Sequence, residues 1–173
     1  MDNSFFKYLE QLELLAFFSG YPLLYTAVIF ISGYLQSKTN FVSRSITLLP
    51  FAYALTGTLY LGFELRKIYP AFSDGTIFQH IHLPYLFFWG LLSVLFWIPA
   101  LNRRKLLSLI HSLVFFSLIL KDMILRFSAV DDNNIVANDM KVFGGSLLLN
   151  TAAFFAVILA SALFTNRYSH TNR

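Results

Sequence analysis

Five stretches of this chain are long, apolar and almost free of charge, and that pattern constrains the fold more than any motif does. They cover residues 14–35, 45–63, 83–101, 106–126 and 142–165. A helix needs about 20 residues to cross a hydrocarbon core of about 30 Å, so each stretch can span once. Backbone polar groups find no water in lipid, so the spans must be helical. The expected fold is all-α: one polytopic bundle of five transmembrane helices with short loops. The composition agrees, with 57% hydrophobic and 13% charged residues in 173; a soluble domain carries roughly 25% charge.

Charge placement orients the bundle. With five spans, one side receives Lys38, Arg44, Arg103, Arg104, Lys105, Arg167 and Arg173, and no acid. The other receives all nine carboxylates, with Lys7, Arg66, Lys67, Lys121, Arg126 and Lys141. A missed or extra span would scramble that segregation of acids. The basic side is assigned to the cytoplasm, so the N-terminus is expected outside and the C-terminus inside, in a plasma or inner membrane. The net charge of +4 is thus an orientation signal, and no nucleic-acid partner is expected. The acidic start MDNSFFKYLE lacks the basic region of a signal peptide, so the first span is expected to stay in the mature protein. Pro22 after Gly20, and Pro50, predict bends in the first two spans.

Polar residues inside spans are candidates for function. Residues 106–120 are uncharged, and then come Lys121, Asp122 and Arg126. At 100° per residue, His111 and Asp122 lie about 20° apart on one helical face, about 16 Å apart along the axis. A proton or ion path needs such a stripe; the competing reading is a boundary at which lysine and arginine snorkel to water. The second span offers a matching stripe, Tyr53, Tyr60 and Glu64, around Gly57. His80 and His82 form a weak metal motif that lacks further ligands. The loop DDNNIVAND, residues 131–139, fails the calcium-loop pattern at Val136 and Val142 and reads as a solvated turn. In the last span Ala152, Ala156 and Ala160 make a small ridge extended by Gly144 and Gly145, suited to helix packing within the bundle or in an oligomer. Asn150 beside it is expected to bond to a neighbouring helix.

No cofactor is expected. Cysteine is absent, which excludes disulfides and thiolate ligands, and no phosphate loop, nucleophile elbow or HExxH occurs. The expected function is therefore a small pore, transport-type or accessory membrane subunit, acting as a homo-oligomer or with a membrane partner protein and not as an enzyme. The alternative is a lipid-binding protein or lipid-modifying enzyme with an externally facing polar site.

Overall fold

The computed structural model describes residues 3–34, 40–69, 84–128 and 133–171, with side chains for 11–34, 45–69, 84–125 and 138–163. The helices are α1 (Asn3–Phe18), α2 (Tyr21–Tyr34), α3 (Asn40–Ile68), α4 (Pro84–Leu92), α5 (Pro99–Asn102), α6 (Lys105–Ser128) and α7 (Asn133–Thr171); a 3₁₀ segment, Ser93–Trp97, joins α4 to α5. No strand occurs among the described residues. Four stretches are long and apolar enough to cross a membrane: Gln11–Tyr34, Ser45–Ile68, Lys105–Leu125 and Asn138–Leu163. Pro84–Trp97 is a shorter apolar fifth.

The stretch 83–101 is therefore not the single helix that its hydropathy suggests. Nine residues of α4 tighten into the 3₁₀ segment, and Ile98 is extended at φ −72°, ψ 124°. Pro99 supplies the reason. Its ring pushes the preceding residue out of the helical region, and its fixed φ suits the first position of the next helix, which it begins. Residues 133–139, expected in a solvated loop, instead open α7, and Asp139 is buried at 1% exposure.

The first span is also interrupted. Ser19 and Gly20 form a turn between α1 and α2, and Pro22 cannot donate a backbone hydrogen bond to the Phe18 carbonyl. Pro50, by contrast, lies inside a continuous α3. α3 packs against α7 on one side and the 3₁₀ segment on another, and α1 packs on α7.

Aromatic rings fill the centre. Phe18 stacks on Phe115 with centroids 4.8 Å apart. Tyr53 meets Phe18, Tyr21 and Phe96 at 5.7, 4.4 and 5.5 Å. Two glycines let backbones approach. A Cβ on Gly20 would strike the Leu147 backbone of α7, and one on Gly57 would strike Ser93 of the 3₁₀ segment. Gly62 has nothing within 4 Å of that position. Gly20→Ala is accordingly expected to destabilise the protein by about 1–3 kcal/mol, the usual cost of overpacking, whereas Gly62→Ala leaves stability within about 0.5 kcal/mol. Thermal unfolding of the two variants in one detergent checks the contrast.

Candidate functional site

His111 lies on the inward face of α6, at 8% exposure. Its ring stacks on the Trp89 indole, with centroids 4.8 Å apart and planes 5° from parallel. Nδ1 is 2.7 Å from the Tyr53 hydroxyl, and Nε2 is 2.9 Å from the Trp89 carbonyl oxygen. A carbonyl can only accept, so Nε2 carries the proton. Nδ1 of the neutral ring then accepts from Tyr53, and every polar atom of the pair has a partner. The Trp89 indole N–H returns a 3.3 Å hydrogen bond to the His111 carbonyl. His111 thus clamps the last turns of α4, just before the chain tightens into the 3₁₀ segment.

One turn away, Ser108 donates to the Lys105 carbonyl at 2.9 Å. Its hydroxyl proton is then used, so Tyr21 donates to Ser108 Oγ, also at 2.9 Å. Tyr21 and Tyr53 are both wholly buried. Together they carry hydrogen bonds from α2 and α3 into α6.

A second polar group meets the break between α1 and α2. Asn150 Nδ2 donates to the Phe17 carbonyl at 2.7 Å and to the Ser146 carbonyl at 2.8 Å. The Gly20 amide donates to Ser146 Oγ at 2.8 Å. Thr56 Oγ1 is a donor 3.3 Å from Asn150 Oδ1. Asn150, Ser146 and Thr56 are all buried. Where lipid excludes water, such buried side chains take its place as partners for an interrupted backbone.

The charged end of the bundle is separate. Lys67 Nζ lies 2.6 Å from Glu13 Oε2 and 3.6 Å from Glu64 Oε1. Lys67 and Glu13 are more than a third exposed on their side chains, so the pair contributes at most about 1 kcal/mol. Asp122 Oδ2 accepts from Gln11 Nε2 at 2.9 Å, and Lys121 is exposed.

The fold thus joins His111 to Tyr53 and keeps both from Asp122. Phe115 and Ile119, at 0 and 1% exposure, lie between them on α6. Tyr60 packs among Phe17, Phe18 and Phe87. Glu64 joins Lys67 near the boundary. The Arg126 side chain and the His80 and His82 motif lie outside the described residues. Among those described, no group of three or more histidines or carboxylates could hold a metal ion.

The glycine and alanine ridge of α7 points away from this interior. Gly144, Gly145, Ala152, Ala156 and Ala160 are exposed, and a Cβ on either glycine would meet nothing within 4 Å. The inward face of α7 carries Ser146, Asn150, Ala153 and Phe154 instead. Sequence reasoning gave Tyr21, Ser108, Ser146 and Trp89 no place in these hydrogen-bond networks. Two of these carried a signal: Ser146 lies i, i+4 from Asn150, and Ser108 lies i, i+3 from His111, spacings that put each pair on one face.

No family model, no curated protein sequence and no solved structure matches the chain.

The Tyr53–His111 hydrogen bond makes a measurable prediction. Unfolding of Tyr53→Phe, His111→Leu and the double variant in mixed micelles should give a coupling energy of about 0.5–1.5 kcal/mol. Additive losses would place the stabilisation of this region elsewhere.

Proposed function

We propose that the protein is a non-enzymatic integral membrane subunit that works as an oligomer, with copies packing through the outward face of α7. The observation that carries this reading is the open space over Gly144 and Gly145. Interior helix faces that need small residues use them at Gly20 and Gly57; among the described residues the α7 ridge is exposed instead.

Its geometry suits a second helix. Positions 144, 148, 152, 156 and 160 are all exposed and read Gly, Leu, Ala, Ala, Ala. At 1.5 Å per residue they extend about 24 Å, most of a bilayer core. A depression of about 470 Å³ runs beside Gly144, Leu148, Ala152 and Phe155. No charge falls between Lys141 and Arg167, so like faces do not repel. In lipid such close backbone approach, and not hydrophobicity, drives association.

A transport role is favoured by one feature. Two interrupted segments, Ser19–Gly20 and Ser93–Ile98, lie within apolar stretches and pack against the rest of the bundle, and discontinuous helices mark substrate sites in transporters. The aromatic layer between His111 and Asp122 gives no support to a path through one copy. Flux would then run between copies and should fall for Ala156→Leu in proteoliposomes matched for folded protein.

The absence of native cysteine permits a single-cysteine test. Oxidative cross-linking in membranes should yield a dimer band for Ala152→Cys and none for Leu113→Cys, which is exposed on α6. Ala156→Leu in the Ala152→Cys background should weaken that band at unchanged expression. Equal cross-linking at both positions would contradict the interface. The same approach reads orientation: an impermeant maleimide should label Asn3→Cys but not Asn172→Cys in intact cells if the N-terminus is outside.

A further inference from the structure

We infer that the turn between α5 and α6, with the groove beneath it, binds an anionic glycerophospholipid: the phosphate on Arg103, Arg104 and Lys105, an acyl chain along the groove. The groove has a volume of about 240 Å³ and is lined by Trp89, Leu92, Leu95, Leu101, Leu107 and Ile110, with Phe96 and His111 behind them. Leu101 and Leu107 bracket the basic triplet in sequence, so the charges stand at one end of the groove. His111 lies six residues past Lys105, about 9 Å deeper along α6.

The two chemistries arrive in the order a phospholipid needs them. Arg103 and Arg104 are exposed, and Lys105 is partly so. Lys105 begins a 24-residue helix, whose first-turn amides add positive potential at the same level. Below this level the exposed wall is apolar: Leu92, Leu95 and Ile110 are 43, 43 and 58% exposed. Basic pockets between helices at a membrane surface recognise anionic headgroups.

The irregular backbone creates the room. An uninterrupted helix would run on through residues 93–101. Instead the 3₁₀ segment ends at extended Ile98 and the chain turns back through α5. A larger apolar groove of about 340 Å³ between α2 and α7, lined by Leu24, Val28, Ser45, Phe154 and Ile158 among others, is the comparison site for the tryptophan substitution below. The inference is independent of the α7 interface.

Native mass spectrometry of the full chain in detergent tests it, with dioleoyl-phosphatidylglycerol and dioleoyl-phosphatidylcholine as probes. Phosphatidylglycerol should bind more tightly, by on the order of tenfold, given the favourable contribution of each nearby basic residue. The preference should disappear in R103Q/R104Q/K105Q and persist in K141Q. Ile110→Trp, which fills the groove from an exposed position, should weaken binding of phosphatidylglycerol, whereas Ile158→Trp should not. Glycerol phosphate at equal concentration should not compete, which separates a lipid site from a free-phosphate site. Equal binding of the two lipids, a preference that survives the triple substitution, competition by glycerol phosphate, or indifference to Ile110→Trp would each overturn the proposal. If the triple variant fails to fold, the wild-type lipid preference and the Ile110→Trp comparison decide the matter.

Discussion

A bilayer interior contains no water to satisfy a broken helix, and that constraint organises this bundle. Where the first span breaks at Ser19–Gly20, Asn150 and Ser146 of α7 supply the donor to Phe17 and the acceptor for Gly20. Where α4 gives way to a 3₁₀ segment, His111 of α6 holds the Trp89 carbonyl and is itself held by Tyr53. An unmet backbone group in hydrocarbon costs several kcal/mol, more than any surface ion pair here returns. The two breaks are therefore tied to the long helices that serve them, and Gly20 and Gly57 are small because those helices must come close.

This view changes the meaning of the polar residues inside the spans. His111 in an apolar stretch invites a catalytic or proton-carrying reading. Its two nitrogens are instead committed to neighbouring groups, and a Phe18–Phe115 stack lies in the same core. Asp122 is engaged by Gln11 at the boundary. With the interior so occupied, the surfaces become the places to look for function: the glycine and alanine ridge of α7, and the basic turn over the groove beside α6.

The class of the fold was legible in hydropathy alone, because four spans are long enough to dominate any window. The interruption of the third stretch was less so. Pro99 was visible, but it stands near the end of an apolar run and reads as a terminus; Ser93, where the tightening begins, packs on Gly57, which is remote in sequence. The face of the α7 ridge was equally hidden. Small residues occur on both sides of that helix, and only the polar pair Ser146 and Asn150 tells which side the bundle takes. Periodicity puts His111 and Asp122 on one face of α6, yet it carries no information about the aromatic side chains that arrive from α1 and α3.

The central claim, that side chains on α7 complete the backbone of the broken first span, is tested most directly at the Gly20 amide. Its exchange with deuterium can be followed by NMR in the wild type and in Ser146→Ala, which removes the acceptor together with a 3.5 Å contact to Asn150 Nδ2. The account predicts exchange at Gly20 faster by on the order of tenfold, as for loss of one hydrogen bond of about 1.4 kcal/mol, with the amides of α3 unchanged. An unaltered Gly20 rate in a folded Ser146→Ala protein would contradict it.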